Sequence, residues 1–245
     1  MSAPLFLVGA GTLPDGTTTV HLDGPEGRHA ADVQRLTVGE RVLLSDGAGR
    51  LARCTVSAAS RGSLDLRVED LRDEPLPARR LVLVQALAKG DRDLMAVEAA
   101  TELDVDEVVP WQADRSIVRW KGERGEKARG KWEQTARAAT KQSRRARVPV
   151  VAGLVGRAAL LDRVGRADLA VVLHEEAGTP LTGLALPARG EILLVVGPEG
   201  GISPDELAAL VDAGARPVRL GRTVLRTSTA GAAALAALHT LGGWR

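Results

Sequence analysis

The first part of the chain consists of short segments in which apolar and polar residues alternate. In one of them Leu64, Leu66 and Val68 occupy every second position, which is the period of a half-buried β-strand. Turn signals rich in Gly, Pro and Asp separate the segments, so we expect residues 1–74 to form a small β-barrel or sandwich. The strand candidates are Thr17–Leu22, Arg41–Ser45, Leu51–Ala58 and Ser63–Leu71, and the helix candidate is Gly27–Arg35.

The pattern changes after Pro75 and Pro77, because two prolines in three residues disfavour continuing a helix or a central strand. Beyond this boundary, continuous apolar runs alternate with segments of helical spacing, and the first run, Leu81–Leu87, is interrupted only by Gln85. This alternation predicts an α/β domain over residues 75–245 with a largely parallel sheet. The further candidates are the strands Glu107–Val109, Asp168–Leu173 and Glu191–Val196, and the helices Asp93–Leu103, Glu126–Arg144, Pro204–Ala213 and Thr229–Leu241.

Composition narrows the class of protein. The 245 residues are 44% hydrophobic and 26% charged, which is ordinary globular usage and excludes a disordered chain, a collagen-like fibre and a coiled-coil rod. The single cysteine, Cys54, excludes an intrachain disulfide, argues against a structural zinc site and is interpreted as a packing residue. The chain start lacks a signal-peptide pattern and no apolar stretch reaches the ~18 residues of a membrane span, so we expect a cytoplasmic protein with no membrane partner and no metal.

The distribution of charge is more informative than its total. The formal net charge is +2, but the segment Arg115–Arg147 contains twelve basic and three acidic residues. Such a block is typical of a protein that binds a polyanion. A solvated helix face with mixed charges is the alternative that the sequence leaves open.

The sharpest local motif is the segment Leu194–Leu207, in which an apolar strand runs into a glycine-rich loop and then into a helix start. Ser203, Pro204 and Glu206 have the spacing of a capping box with proline at the first helical position. Backbone N–H groups of such a loop can hold a ligand at the carboxyl end of a parallel strand. The motif is neither a Walker A loop nor a GxGxxG loop, and a plain strand–loop–helix connection remains the alternative.

Two other segments contain candidate functional side chains. In Leu220–Gly231, Arg222 and Arg226 lie four residues apart in a loop, and Thr227, Ser228 or Thr229 is expected to cap the last helix. This segment is either a second ligand-binding loop or a helix cap with surface arginines. His174, at a strand end beside Glu175, is either an acid–base residue or a structural histidine.

Several segments together resemble one known family. Leu194–Leu207 and Leu220–Ala230 resemble the two carboxyl-terminal signatures of SPOUT methyltransferases. Within that class, the upstream segments resemble the RsmE family, and the amino-terminal segments resemble its PUA-like domain. The upstream segments are Lys89–Arg92, Ala99–Leu103, Asp114–Ser116, Gln142–Arg144 and Val148–Pro149, and the amino-terminal ones are Arg28–His29, Val33–Arg35 and Asp46–Gly49.

The chain departs from the family pattern at three positions. Asp104 stands where the family usually has Gly, Gln34 stands in a triplet that is more often VLR, and Ser228 stands where the family often has Glu. The last change removes a carboxylate from the second loop, so no role of a glutamate there is carried over to this chain.

The resemblance implies a trefoil-knotted α/β domain that binds S-adenosylmethionine, with an RNA-binding β-barrel before it. It implies methylation of N3 of a uridine in 16S rRNA of the small ribosomal subunit, by a homodimer. Arg226 is the first catalytic candidate and Arg222 the second, and either Glu199 or water accepts the uridine proton. The cofactor candidates are Leu173, His174, Glu175, Val196, Gly197, Pro198, Glu199, Gly200, Gly201, Leu220, Leu225, Arg226, Thr227, Ser228, Thr229 and Ala230. The RNA-contact candidates are Arg28, His29, Arg35, Lys89, Arg92, Arg115 and Arg144.

Three other functions remain open on the sequence. The first is a SPOUT methyltransferase that acts on another RNA atom, such as a ribose 2′-hydroxyl. The second is a non-catalytic RNA-binding or ribosome-assembly protein, which the change at Ser228 allows. The third is a nucleotide-hydrolysing α/β enzyme, against which the absence of a P-loop lysine argues.

Overall fold

The computed structural model describes residues 3–243 and divides the chain into two compact units. The first unit contains the residues up to 76 together with residues 140–148. The second contains residues 77–139 and the residues from 149 onward. Each unit has its own hydrophobic core.

The first unit is built on one curled, five-stranded half-barrel sheet, which confirms the predicted small β-barrel domain. The strands are β1 (Leu5–Leu7), β2 (Thr19–Leu22), β3 (Arg41–Ser45), β4 (Arg50–Ser60) and β5 (Ser63–Asp73). Their order in the sheet is β1-β3-β4-β5-β2, with β1 parallel to β3 and the other neighbours antiparallel. The inward side chains of the alternating strands, including Phe6, Leu44, Leu64 and Leu66, form the core.

The predicted helix Gly27–Arg35 is broken into two parts in the structure. A short helix, α1 (Gly24–Arg28), begins with Pro25 in its first turn and continues into one π-helical turn, His29–Val33. The Gln34 N–H donates to the His29 carbonyl oxygen at 2.9 Å, which is the five-residue spacing of a π-turn. Periodicity of 3.6 residues does not reveal this change of register.

The second unit is an α/β fold with a six-stranded sheet, and each of its strand pairs is parallel, as the sequence predicts. The strands are β6 (Arg79–Ala86), β7 (Glu107–Trp111), β8 (Val150–Val151), β9 (Leu169–Leu173), β10 (Gly190–Val196) and β11 (Arg216–Val218). Their order in the sheet is β11-β9-β10-β6-β7-β8. The helices are α2 (Arg92–Glu102), α3 (Gly122–Ser143), α4 (Arg157–Arg166), α5 (Pro204–Asp212) and α6 (Thr227–Leu241).

Apolar side chains cover both faces of this sheet. Leu83 and Leu194 belong to the cluster that includes α2 and α6, whereas Val84 and Val195 belong to the cluster that includes α4 and α5. A strand that is buried on both faces reads as a continuous apolar run, which is why β6 and β10 are visible in the sequence. The trefoil knot that the family resemblance implies stays a prediction.

The predictions missed three strands, one α-helix and the short 3-10 helix Leu181–Gly183. Strands β1, β8 and β11 have three, two and three residues, so they are too short to display a period. Helix α4 buries only Leu160 and Val164 and contains several arginines, so its apolar stripe is narrow.

Within residues 3–243, no helix is long and apolar enough to cross a membrane. Cys54 is buried in the first core, and burial raises the pKa of its thiol to about 12, as suits a packing residue.

A buried carboxylate holds the amino-terminal ends of the strands together. Glu107, at the start of β7, is 5% exposed. Its Oε1 accepts from Arg163 Nη2 at 2.6 Å, and its Oε2 forms an ion pair with Arg80 at the start of β6. Arg80 also contacts Glu191 at the start of β10, at 3.3 Å. These ion pairs link β6, β7, β10 and α4 at the sheet edge where the strands begin.

Replacing Glu107 with Gln is expected to lower the free energy of unfolding by about 2 kcal/mol, because two charge-assisted hydrogen bonds are lost, although Arg80 and Arg163 stay partly exposed to water. Glu191→Gln is the matched control. It removes a longer contact to the same Arg80 and is expected to cost less than about 1 kcal/mol. Urea unfolding of both variants measures the difference. Equal losses would show that burial of Glu107 adds nothing to the ion pairs.

Candidate functional site

A cavity of about 780 Å³ lies at the sheet edge where β9, β10 and β11 end. Because the three strands are parallel neighbours, their carboxyl ends bring three following segments together. These segments are residues 173–176 after β9, the glycine loop (residues 197–201) after β10, and the arginine loop (residues 219–226) after β11. Ligands of α/β proteins bind at this edge, and the volume is within the range of small-molecule sites.

The glycine loop has the structure that its sequence predicts. The Ser203 hydroxyl accepts from the Glu206 N–H at 3.1 Å and the Glu206 carboxylate accepts from the Ser203 N–H at 3.3 Å, so the predicted capping box of α5 is confirmed. Gly201 has φ +72°, and its N–H donates to the Pro198 carbonyl oxygen at 2.9 Å, closing a turn. A Cβ on Gly197 would lie 2.7 Å from Ile202 Cγ1, so glycine is needed there.

The segment after β7 braces this loop from one side. The Asp114 N–H donates to Glu206 Oε1 at 2.8 Å, and the Ser203 hydroxyl donates to Asp114 Oδ2 at 3.1 Å. Arg115 Nη1 donates to the Gly200 carbonyl oxygen at 3.1 Å, and a Cβ on Gly200 would lie 3.3 Å from Arg115 Cβ. A large side chain at position 200 therefore requires Arg115 to move.

Glu199 ties the glycine loop to the start of α2. Its Oε1 accepts from the Lys89 N–H at 3.0 Å and from Arg92 Nη1 at 3.1 Å. Partial burial raises the pKa of Glu199. The backbone N–H groups of Glu199 and Lys89 and the Arg92 guanidinium outweigh that effect and hold the pKa below its usual value of 4.5. At neutral pH the group is therefore a carboxylate and a weak proton acceptor.

The start of α6 differs from the prediction that Thr227, Ser228 or Thr229 caps the helix. The N-cap residue is Arg226, whose carbonyl oxygen accepts from the Ala230 N–H at 2.9 Å, and no side chain caps this helix end. The Thr227 hydroxyl instead donates to the Gly197 carbonyl oxygen at 2.7 Å. The hydroxyl that was expected to cap α6 therefore joins the helix to the glycine loop.

His174 is held by the backbone on both sides. Its N–H donates to the Val218 carbonyl oxygen at 2.9 Å, and its Nδ1 accepts from the Glu176 N–H at 3.3 Å. These contacts order the end of β9 against β11 and favour the structural interpretation of this histidine. Among residues 3–243, no cluster of three or more His, Cys, Asp or Glu side chains is arranged to hold a metal ion.

The structure brings most of the predicted cofactor residues to one cavity. The lining includes Leu173, His174, Glu175, Val196, Gly197, Pro198, Glu199, Gly200, Gly201, Leu220, Leu225, Arg226, Thr227 and Ala230. Ser228 and Thr229 are not part of the lining, and Ser228 is buried. Of the catalytic candidates, Arg226 lines the cavity and Arg222 is exposed outside it.

The predicted RNA contacts divide between the two units. Arg92 and Arg115 line the cavity, and Lys89 is exposed beside it, while Arg28, His29, Arg35 and Arg144 belong to the first unit. Arg35 has φ +56° directly after the π-turn. Nine further lining residues were not named individually by the sequence analysis: Glu176, Ile202, Pro204, Leu207, Val218, Arg219, Gly221, Thr223 and Val224. The last three lie within the predicted loop Leu220–Gly231. Val218 and Arg219 lie in and directly after β11, which was too short to be predicted.

Comparison with known proteins gives consistent matches over nearly the whole chain. Residues 74–239 match a family model described as an RNA methyltransferase domain, and residues 22–69 match one described as an RNA methyltransferase PUA domain. Ribosomal RNA small subunit methyltransferase E of Mycobacterium bovis is 49% identical, covering 98% of this chain and 93% of that protein. The Bacillus subtilis protein of the same name is 30% identical, covering 90% and 89%.

A solved structure supports the same comparison. The crystal structure of ribosomal RNA small subunit methyltransferase E from Neisseria gonorrhoeae bound to S-adenosyl methionine aligns with a TM-score of 0.84. The two chains are 27% identical, and the alignment covers 98% of each.

The lowered pKa of Glu199 predicts a pH dependence of stability. A carboxylate whose folded pKa lies below its unfolded pKa stabilises the folded protein above the unfolded pKa, and this contribution is lost as the pH falls through the folded value. The difference in unfolding free energy between the wild type and Glu199→Gln should therefore stay constant above pH 4.5 and shrink below it. Denaturant unfolding at stepped pH measures this difference. A difference that begins to shrink well above pH 4.5 would contradict the lowered pKa.

Proposed function

The chain belongs to the ribosomal RNA small subunit methyltransferase E family, and on that premise we propose that it transfers the methyl group of S-adenosylmethionine to N3 of a uridine in 16S rRNA. The observation that carries the proposal is the cavity at the carboxyl edge of the sheet. The glycine loop forms one side of it, and the arginine loop with Arg226 forms another.

The residues that line the cavity fit S-adenosylmethionine. Leu173, Val196, Leu220 and Leu225 offer apolar contacts for a nucleoside, and backbone groups of the glycine loop offer hydrogen bonds to its base. The lining also contains three carboxylates, which suit a ligand with a cationic sulfonium and an ammonium group. They belong to Glu175, Glu176 and Glu199. When bound, this cofactor supplies an already activated methyl group, so the protein needs to bind and orient the reactants.

Arg226 is the residue that we assign to the uridine. N3 of a uridine loses its proton when it is methylated, and negative charge spreads to the neighbouring carbonyl oxygens. A guanidinium beside those oxygens stabilises that charge. Arg226 is at the cavity wall and Arg222 is outside it, so the geometry favours Arg226. Glu199 Oε1 already accepts from the Lys89 N–H and from Arg92, so we assign the N3 proton to solvent water rather than to this carboxylate.

We assign residues 1–74 to RNA binding and residues 75–245 to the methyltransferase domain. Lys89, Arg92 and Arg115, in and beside the cavity, would hold phosphates next to the target uridine. Arg28, His29, Arg35 and Arg144 would contact RNA from the first unit, where His29 lies in the π-turn and Arg28 and Arg35 flank it. A cytoplasmic homodimer acting on the small subunit completes the proposal.

The departure at Ser228 does not weaken this proposal. Ser228 is 8% exposed and does not line the cavity, so the proposal needs no side chain from this position. The non-catalytic alternative rested on this position.

The catalytic assignment is tested by methylation of small subunits prepared from cells that lack this enzyme, with the methylated nucleotide identified by mass spectrometry. We expect 3-methyluridine with the wild type. Arg226→Ala should reduce turnover by about 10²–10³-fold, which is the usual loss when one donor to a developing oxyanion is removed.

Two further arginine variants complete the test. Arg222→Ala is expected to lose less than tenfold, and Arg189→Ala, an exposed residue just before β10, is the surface control with wild-type turnover. A 2′-O-methylated product would replace the proposed reaction with the ribose alternative. Wild-type turnover by Arg226→Ala would remove Arg226 from the mechanism.

A further inference from the structure

Gln85 is a polar residue in a position where the fold calls for an apolar one. It lies near the carboxyl end of β6, the strand between β10 and β7, and its side chain is completely buried. Its register neighbours are Val196 on β10 and Pro110 on β7. The other residues of the run from Leu81 to Leu87 are apolar and buried.

The Gln85 amide begins a chain of hydrogen bonds that ends at the cavity. Gln85 Nε2 donates to Thr227 Oγ1 at 2.8 Å, and Thr227 Oγ1 donates to the Gly197 carbonyl oxygen at 2.7 Å. A hydroxyl has one proton, and here Gly197 takes it, so Thr227 must accept from Gln85. This requirement fixes the amide with its nitrogen toward Thr227.

The arrangement has a visible cost. Gln85 Oε1 is buried without a hydrogen-bond partner among the described residues, which lowers stability. Gly231 on α6 packs tightly against Leu83 and faces the amide at an ordinary contact distance. A Cβ on Gly231 would lie 3.6 Å from Gln85 Oε1 and 3.2 Å from both Leu83 Cδ atoms. Leucine at position 85 would satisfy the core without an orphaned acceptor, so packing alone does not explain the amide.

We propose that Gln85 is a positioning residue, which acts through Thr227 to hold the glycine loop and the start of α6 in the arrangement that receives the cofactor. This inference rests on the proposed function of the cavity. Gly197 and Thr227 both line the cavity, whereas Gln85 does not. Holding the two sides before the ligand arrives removes an ordering cost from binding.

Gln85→Leu separates this role from a structural one. We expect its melting temperature to stay close to that of the wild type, because removal of the orphaned oxygen offsets the loss of the two hydrogen bonds that Nε2 donates, to Thr227 and to the Ala86 carbonyl oxygen at 3.2 Å. We expect its affinity for S-adenosylmethionine, measured by calorimetry, to fall about tenfold. The two segments would then have to be ordered when the ligand binds, and the free energy lost is about that of one hydrogen bond. The KM for S-adenosylmethionine should rise while kcat at saturation changes little.

A second pair of variants tests the same chain through the hydroxyl. Thr227→Val removes the hydroxyl with little change of shape and should reproduce the effect of Gln85→Leu, whereas Thr227→Ser should restore near-wild-type affinity. Thr240→Val is the matched control. Its hydroxyl donates to Ala236 within the same helix at 2.8 Å, remote from the cavity, and its loss should leave affinity unchanged.

Amide hydrogen exchange provides a readout that needs no ligand. In Gln85→Leu and Thr227→Val, exchange should quicken together in residues 197–201 and 223–227 and stay at the wild-type rate in α4. Wild-type exchange and affinity in both variants would overturn the proposal. So would a loss of affinity that accompanies a fall in melting temperature and faster exchange throughout the unit.

The outcomes also separate this inference from the proposed function. If the wild type itself binds no S-adenosylmethionine, the proposed function fails, and the exchange rates still decide whether Gln85 holds the two segments. If Gln85→Leu does not fold, the comparison of Thr227→Val with Thr227→Ser gives the answer.

Discussion

The parallel pairing of β9, β10 and β11 is the constraint on which the site depends. Parallel strands deliver their carboxyl ends to one edge, so segments far apart in the sequence meet around one cavity. The buried Glu107 and its two arginines link strands at the opposite edge, where they begin. Ion pairs therefore link the strands where they begin, and the loops that follow the carboxyl ends of the strands are available to a ligand.

Hydrogen bonds to residues outside the glycine loop hold it in place. Within the loop, Glu199 accepts from Lys89 and Arg92. After the loop, Glu206 accepts from Ser203 in the capping box and also from the Asp114 N–H. The glycines allow the close approach that such bracing requires. A rigid wall of backbone groups results, which suits chemistry in which the cofactor supplies the reactive group and the protein orients it.

The sequence predicted the elements that have a strong local signature. The apolar runs of β6 and β10 follow from burial on both faces, and Ser203 with Glu206 identified the start of α5. It did not predict β11, because three residues that include Pro217 show no period. It also could not predict the bond from Thr227 to Gly197, which joins residues 30 positions apart that meet only in the folded chain. Most of the cofactor residues came from the family resemblance, since spacing alone left both loops open to a plain structural interpretation.

The central claim is that the cavity at the carboxyl edge is a site for S-adenosylmethionine. The most direct test is a calorimetric titration of the purified protein with S-adenosylmethionine, with ATP and magnesium as the control, repeated with Gly200→Leu. We expect a dissociation constant in the micromolar range, about −8 kcal/mol, and no binding of ATP. Binding to the variant should be weaker because Arg115 must move. Binding of ATP in place of S-adenosylmethionine, or equal binding by Gly200→Leu, would contradict it.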